Sequence, residues 1–414
     1  MTHGGLTGGG RRALLARVLG ERRRLEKGGA MYRAAVACLV MAVTTALGGV
    51  VAVASPGSSP TAIVSLGDSF ISGEGGRWLG NGSDPVGTRS GTDRAAVACD
   101  GWGHCRYEPE LVYGDSERDR CHRSDVAPIS SARVAVDLEA NLACSGARAA
   151  NIWPASLGGQ PHFGEPPQAD ALTALAAEAD VRMVVVTVGA NDAGFGELVA
   201  GCALDWARSS PRDPTFCGPS AQADLSAALP ATERKARRAL AGVRWAMAGA
   251  GYARTDYRLV AMGYASPLPS GRWIRYPESG WSRLNRGGCP FWNADADWAA
   301  GAATDSIDAA IRRAAESTGA EYLDVRHALD GHQLCDRRAS RVGPEGPSPE
   351  NAEWVRRLAF VQGSSRESLH PNAYGQRALG ACVGLLYASP PGEYGCRLEN
   401  GRTYVDGMRL EPLL

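Results

Sequence analysis

An open α/β fold built on a parallel sheet is what this 414-residue sequence predicts, and three stretches predict it. The first is 63–75, I-V-S-L-G-D-S-F-I-S-G-E-G, where an apolar β-branched run long enough for one buried strand breaks at an abrupt Gly-Asp-Ser turn. The second is 181–188, whose continuous apolarity suits a central parallel strand covered on both faces, and which ends in G-A-N-D. The third is 221–250, whose Ala/Leu/Arg composition reads as a long helix. A buried strand ending in a glycine turn leaves a polar side chain at the carboxyl edge of the sheet, where open α/β folds place their chemistry. Ser69 and Asn191 stand at those two strand ends.

The first 54 residues stand apart from this body. From Met31 a short basic start with Arg33 leads into an apolar run over 34–53, interrupted by Thr44, Thr45 and two glycines, and ends in Ala52-Val53-Ala54 ahead of a Ser/Pro/Gly segment. That is the layout of a secretory signal peptide with a small-x-small cleavage site. The run also approaches the roughly 20 residues that span a bilayer, so a membrane anchor over 34–53 is the alternative. Residues 1–30, with Arg11, Arg12, Arg17 and Arg22 to Arg24, extend the basic region, and Met31 is an alternative start. The expected organisation is a leader over 1–54 and a single domain over 55–414, exported and monomeric.

Cysteine usage agrees with export. Of eleven cysteines Cys38 lies in the leader, and an even number remains, which in an exported chain reads as disulfides. Pairing of sequential neighbours is the simplest connectivity: Cys99 with Cys105, Cys121 with Cys144, Cys202 with Cys217, Cys289 with Cys335, and Cys382 with Cys396. No C-x-x-C or paired-histidine spacing supports zinc, and neither a metal nor another cofactor is expected. Removing the leader's eight basic and two acidic residues from totals of 44 and 44 leaves 36 against 42. An acidic balance without an evident basic stripe argues against nucleic acid or an anionic membrane as partner.

Taken in order, the stretch 76–131 is rich in Gly, Asp, Arg and Ser without periodicity and reads as an irregular surface excursion; its His104 and His122 read as loop histidines. A strand-like start after Arg133 runs into N-L-A-C-S-G, where Gly146 lets the loop backbone approach another group closely. Ser145 there is a weaker nucleophile candidate than Ser69, having no acidic or histidine partner nearby in sequence. Helical spacing covers 168–178, and 258–264 gives another strand. Trp273, Tyr276, Trp281, Phe291, Trp292 and Trp298 then crowd a loop around Cys289, either lining an acyl or sugar site or forming the loop's own small core. The N-A-D-A-D of 293–297 lacks the calcium-loop pattern and reads as a helix N-terminus leading into 298–317. A last strand is expected over 321–325. The run 367–375, E-S-L-H-P-N-A-Y-G, puts His370 on a loop before a closing helix over 373–387, because the residue before a proline is biased away from helix.

A serine hydroxyl is a poor nucleophile at neutral pH until a base takes its proton. Of the seven histidines His370 has the best context, on a late loop with Glu367 three residues earlier. The Glu367 carboxylate, or a backbone carbonyl in its place, would hold the imidazole in the required tautomer. Attack on an ester carbonyl creates an oxyanion, for which the N–H groups of Ser69 and Gly146 and the side-chain amide of Asn191 are the expected donors.

The blocks G-D-S-F (Ser69), A-C-S-G (Gly146), G-A-N-D (Asn191) and S-L-H-P-N (His370), in that order, resemble the SGNH hydrolases, also called the GDSL esterase/lipase family. The strings G-D-S-F-I-S-G-E-G and N-L-A-C-S-G-A resemble its secreted actinobacterial branch, and the resemblance runs from Ile63 to about Leu386. It implies a flavodoxin-like, three-layer α/β/α sandwich with a parallel sheet of about five strands. It also implies hydrolysis of carboxylic esters through an acyl-enzyme on Ser69 with His370 as base, without metal or cofactor. The family usually carries Asp where Glu367 stands, and some members of this branch resemble a Ser-His dyad supported by a main-chain carbonyl. No G-x-S-x-G surrounds Ser69, which argues against the ordinary α/β-hydrolase class. The first expectation is a secreted esterase or lipase acting on a small-molecule or lipid ester, with no nucleic acid and no obligatory protein partner. A carbohydrate acetyl esterase or acyltransferase on the same scaffold is the second, and a non-catalytic surface-binding protein the third.

Overall fold

The computed structural model describes residues 59–413 except 83–90, 105, 343–344, 359–364, 400–403 and 405. The leader, its alternative anchor over 34–53 and the Cys105 half of the Cys99–Cys105 pair lie outside the described residues. Among those described, no helix is long and apolar enough to cross a membrane.

Seven strands form one sheet: β1 Thr61–Gly67, β2 Leu138–Asn141, β3 Asp180–Thr187, β4 Arg258–Met262, β5 Glu321–Asp324, β6 Glu393–Leu398 and β7 Met408–Pro412. Their order is β2-β1-β3-β4-β5-β6-β7. The first five pair in parallel, in the 2-1-3-4-5 order of flavodoxin-like sheets. Along β3 successive residues enter opposite layers: Met183 and Val185 join the core on one face, Val184 and Val186 the core on the other. That is why the run is apolar without alternation, and burying each valine contributes about 1.5–3 kcal/mol.

Helices cover both faces. α1 is the single turn Ser69–Ser72; then come α2 Gln168–Ala176, α3 Phe195–Arg208, α4 Gly218–Gly249, α5 Thr304–Thr318 and α6 Ala373–Ala388. α2, α4 and α5 bring Leu172, Leu240, Val243 and Ile311 to one core, whereas α6 brings Leu379, Val383 and Leu386 to the other. The stretch after Trp298 is a π-type turn over Ala299–Ala303 that separates the short helix Asn293–Trp298 from α5.

The sheet continues beyond its expected end. 321–325 is not the last strand and α6 does not close the chain: β6 pairs parallel with β5, and β7 antiparallel with β6. These two strands carry no buried apolar run, only Cys396 and Met408 being fully packed, so their hydropathy does not announce them. Cys382–Cys396 ties β6 to α6, and disulfides also join Cys121 to Cys144, Cys202 to Cys217 and Cys289 to Cys335.

Gly67 ends β1 at φ +133°, and a Cβ placed there would lie 2.0 Å from the Thr187 carbonyl oxygen of β3. The same oxygen accepts the Asp68 N–H at 3.1 Å, so the strand cannot step aside without losing that bond. Gly67→Ala is therefore expected to cost roughly 3 kcal/mol, combining overpacking with left-handed backbone strain. Chemical denaturation would register it as a lower midpoint; a midpoint equal to that of the unsubstituted protein would refute the close-approach account.

Candidate active site

Strand order reverses between β1 and β3, since the chain moves outward from β1 to β2 and then returns to lay β3 on the other side. The carboxyl ends of these two strands therefore bound a crevice at a topological switch point. Asp68 leaves β1 in an extended conformation, and its Oδ1 accepts the Phe70 N–H at 3.0 Å, capping α1 and placing Ser69 as the first residue of that turn. The second Asp68 oxygen accepts the Tyr264 hydroxyl at 2.5 Å, and burial pushes this carboxyl up to about 7.

His370 arrives from the far end of the chain. Its loop is pinned by pairing with 354–356: Arg356 N–H donates to the His370 carbonyl at 2.8 Å, Leu369 N–H to the Arg356 carbonyl at 2.9 Å, and Asn372 N–H to the Trp354 carbonyl at 2.7 Å. Leu369 holds φ +63°, a conformation that a bulky residue seldom adopts, and Asn372 caps α6 by accepting from Tyr374 and Gly375 N–H. The result brings His370 Nε2 to 2.7 Å from Ser69 Oγ, across 301 positions of sequence. His370 Nδ1 lies 3.1 Å from the Ser368 carbonyl, which as an acceptor makes Nδ1 the protonated nitrogen and leaves Nε2 free to accept the serine proton. Burial lowers the imidazole pKa below its ordinary value, against opposing contributions from Glu74 and from backbone carbonyls.

Glu367 does not orient His370. Its buried carboxylate accepts from Trp78 Nε1 and, at 3.1 Å, from the Tyr113 hydroxyl, with Arg77 Nε 3.9 Å away. The Arg356 guanidinium lies over the Trp78 ring at 3.7 Å. Both carboxylate oxygens of Glu367 thus face Trp78 and Tyr113, and the group beside His370 Nδ1 is the Ser368 main-chain carbonyl.

A second buried carboxylate went unremarked in the sequence. Glu74, from the G-E-G of the Ser69 stretch, is fully buried and meets His122 Nδ1 at 2.7 Å. Its own N–H donates to the Ser69 carbonyl at 3.2 Å, and the backbone of Gly75 packs against His370 and Pro371. His122 is not a free loop histidine: it stacks on Tyr113 with ring centres 4.8 Å apart, and Glu117 lies 3.8 Å from its Nε2. Burial alone would raise the Glu74 carboxyl, but the His122 hydrogen bond and charge hold it below the usual range. Burial would likewise lower His122, yet Glu74 keeps it above its ordinary value, so the two form an ion pair. The only sequence signal was one Glu in a glycine-rich turn; its partner lies 48 positions away.

Of the expected oxyanion donors, Gly146 holds φ +76°, which favours glycine, and neither its N–H nor that of Ser69 is taken by another group among the described residues. Asn191 Nδ2 donates to the Ala147 carbonyl at 2.9 Å, which ties the third block to the second and leaves one amide hydrogen uncommitted. Ser145 is buried; its N–H bonds the Cys121 carbonyl and its own carbonyl meets His162 Nε2 at 2.9 Å. His104 is paired with Asp100 and His327 with Asp330, both on the surface, while His332 stacks on Trp354. In the aromatic loop Phe291 and Trp292 are core residues, whereas Trp281 is exposed. Among the described residues one trio has metal-ligand spacing, Asp119, Cys121 and Glu165; Cys121 is in a disulfide and Arg123 bridges both carboxylates, so the trio is already satisfied internally.

No family model matches the chain. It is 28% identical over 229 residues to Lipase 2 of Streptomyces coelicolor, an alignment that covers 52% of this chain and 61% of that protein. The chain thus spans about three fifths of the length of this curated relative. Among solved structures, an extracellular lipase from Streptomyces rimosus and a phospholipase A1 from Streptomyces albidoflavus are similar at 20% identity and a TM-score of 0.47 each, over 80% and 79% of this chain and 100% and 98% of theirs. The 2-1-3-4-5 parallel sheet flanked by helices is an open α/β/α fold, and the four sequence blocks follow one another in order along it.

Proposed function

We propose that residues 55–414 form a single, exported serine esterase or lipase that hydrolyses carboxylic esters through an acyl-enzyme on Ser69. The observation that carries this reading is the 2.7 Å contact between Ser69 Oγ and His370 Nε2 at the switch-point crevice. Export is supported by the leader pattern and by the disulfides, and the lipid ester by the curated relative's being a lipase.

In this mechanism His370 Nε2 takes the hydroxyl proton as Ser69 Oγ bonds to the ester carbonyl carbon, and the carbonyl π pair moves onto oxygen. The Ser69 and Gly146 N–H groups and the uncommitted Asn191 hydrogen receive that charge, each such donor contributing about 3–4 kcal/mol to the transition state. The Ser368 carbonyl keeps the imidazolium oriented through Nδ1–H. Collapse breaks the C–O bond to the alcohol, which leaves with the proton from Nε2. Water then repeats the sequence on the acyl-serine and releases the acid.

The test is hydrolysis of p-nitrophenyl esters from acetate to palmitate as a function of pH. Because burial lowers His370, its neutral, basic form persists below its ordinary range, so kcat/KM should be flat at neutral pH and fall only below about 6.5. An acid limb centred above 7 would contradict this environment for His370. Cleavage of acetate alone would favour a carbohydrate acetyl esterase, and no cleavage by folded protein would overturn the reading.

A further inference from the structure

One cleft outside the Ser69 site is lined by five arginines and by none of the residues that form that site. Arg234, Arg237, Arg238 and Arg244 share one face of α4 at helical spacing, and with Arg254 they line a cleft of about 500 Å³ whose lining contains no carboxylate. Ala241 lines the cleft between them. Several arginines elsewhere are held by carboxylates, Arg258 by Glu321, Arg313 by Glu233, and Arg326 by Asp305 and Asp324. None of the five cleft arginines makes an ion pair among the described residues. Composition hid this, because the domain is acidic in total and the helix reads as Ala/Leu/Arg in sequence.

Two of the five guanidinium groups are already fixed. Arg238 stacks 3.8 Å over the Trp153 ring and donates to the Leu157 carbonyl. Arg244 donates to the Gly319 carbonyl at 2.7 Å and lies over Tyr257, while its Nε and Nη1 are shielded from water with no protein acceptor. Shielded donors without an acceptor are costly, and several like charges around one cleft repel; an anion with several oxygens relieves both. Guanidinium forks match phosphate oxygens, and donors held in place before binding lose little entropy when a ligand arrives.

We infer that this cleft is an anion-binding site for a ligand carrying more than one phosphate group, separate from the ester-hydrolysing crevice. The site takes either a soluble polyphosphate or the phosphate headgroups of a lipid surface, a choice that depends on which of them reaches the cleft.

The experiment titrates the full chain by calorimetry with tripolyphosphate and measures its sedimentation with phosphatidylglycerol vesicles, phosphatidylcholine vesicles serving as the uncharged control. The variant is Arg237→Ser/Arg254→Ser, both exposed and without partners, so the fold and basal ester hydrolysis should be unchanged. Expected is salt-sensitive binding of tripolyphosphate, or of phosphatidylglycerol vesicles but not the control, weakened about tenfold or more in the variant through loss of charge-assisted bonds. Tripolyphosphate binding identifies a soluble source and vesicle binding a headgroup; either, lost in the variant, supports the site. Binding of neither, or equal binding by the variant, overturns it. This outcome is independent of whether the chain hydrolyses esters.

Discussion

Ser69→Ala should reduce ester hydrolysis by about a thousandfold or more while leaving the protein folded. The hydroxyl's hydrogen-bond partner in the structure is His370 Nε2, and Ser69 is only partly buried at the opening of α1. Its removal therefore takes away the nucleophile without stranding a buried donor, and thermal unfolding should shift little. The same logic fixes the expected double variant. If Ser69 and His370 act as one unit, Ser69→Ala/His370→Ala should be scarcely slower than either single variant, because the second change removes a group with nothing left to activate. Losses that multiplied would mean that the two act in separate steps. The measurement is kcat/KM on a short-chain p-nitrophenyl ester together with labelling by a serine-directed phosphonate. Full activity and labelling in Ser69→Ala would move the nucleophile elsewhere and sink the assignment.

Much of this arrangement was legible because the sheet is buried on both faces. A strand such as β3 has no solvent side, so it must be apolar throughout, and the polar residue at which the run stops marks the strand end. Gly67, Gly146 and Gly189 were visible for a related reason: each takes a positive φ that other residues adopt at a cost. His370 was found through its proline and its late loop position. What remained hidden depended on distant pieces meeting. The peptide oxygen of Ser368 has no sequence signature, Glu367 stood at the expected spacing yet turned towards Trp78 and Tyr113, and the basic face of α4 appears only when 234–244 is wound into a helix and Arg254 brought beside it. β6 and β7 were missed because the sheet's outer edge is half exposed and carries no continuous apolar run.

Two buried carboxylates flank the His370 loop, and Glu74→Gln and Glu367→Gln should therefore separate in their effects. Imidazolium forms on His370 as Ser69 attacks, so a nearby anion stabilises the transition state and raises the basicity of the resting imidazole. Glu74 is that anion: it opposes burial at His370 more strongly than any other charge, whereas Glu367 spends its oxygens on Trp78 and Tyr113. The charged groups around Glu74 include His122, which pairs with it, Glu117 beyond His122, and Glu367, whose carboxyl Glu74 pushes up; His122 disfavours charge on His370, but less than Glu74 favours it. Removing the Glu74 charge thus lowers the His370 pKa even though His122 also loses its support. In Glu74→Gln the acid limb of kcat/KM should move to lower pH, and kcat should fall about tenfold because the imidazolium formed in the transition state loses its nearby anion. Glu74→Asp, which keeps the charge, should restore part of both. Glu367→Gln should lower the unfolding midpoint, by weakening the buried bonds to Trp78 and Tyr113, while the acid limb stays where it is. A limb unmoved by Glu74→Gln, or moved further by Glu367→Gln, would return the orienting role to the carboxylate three residues before the histidine.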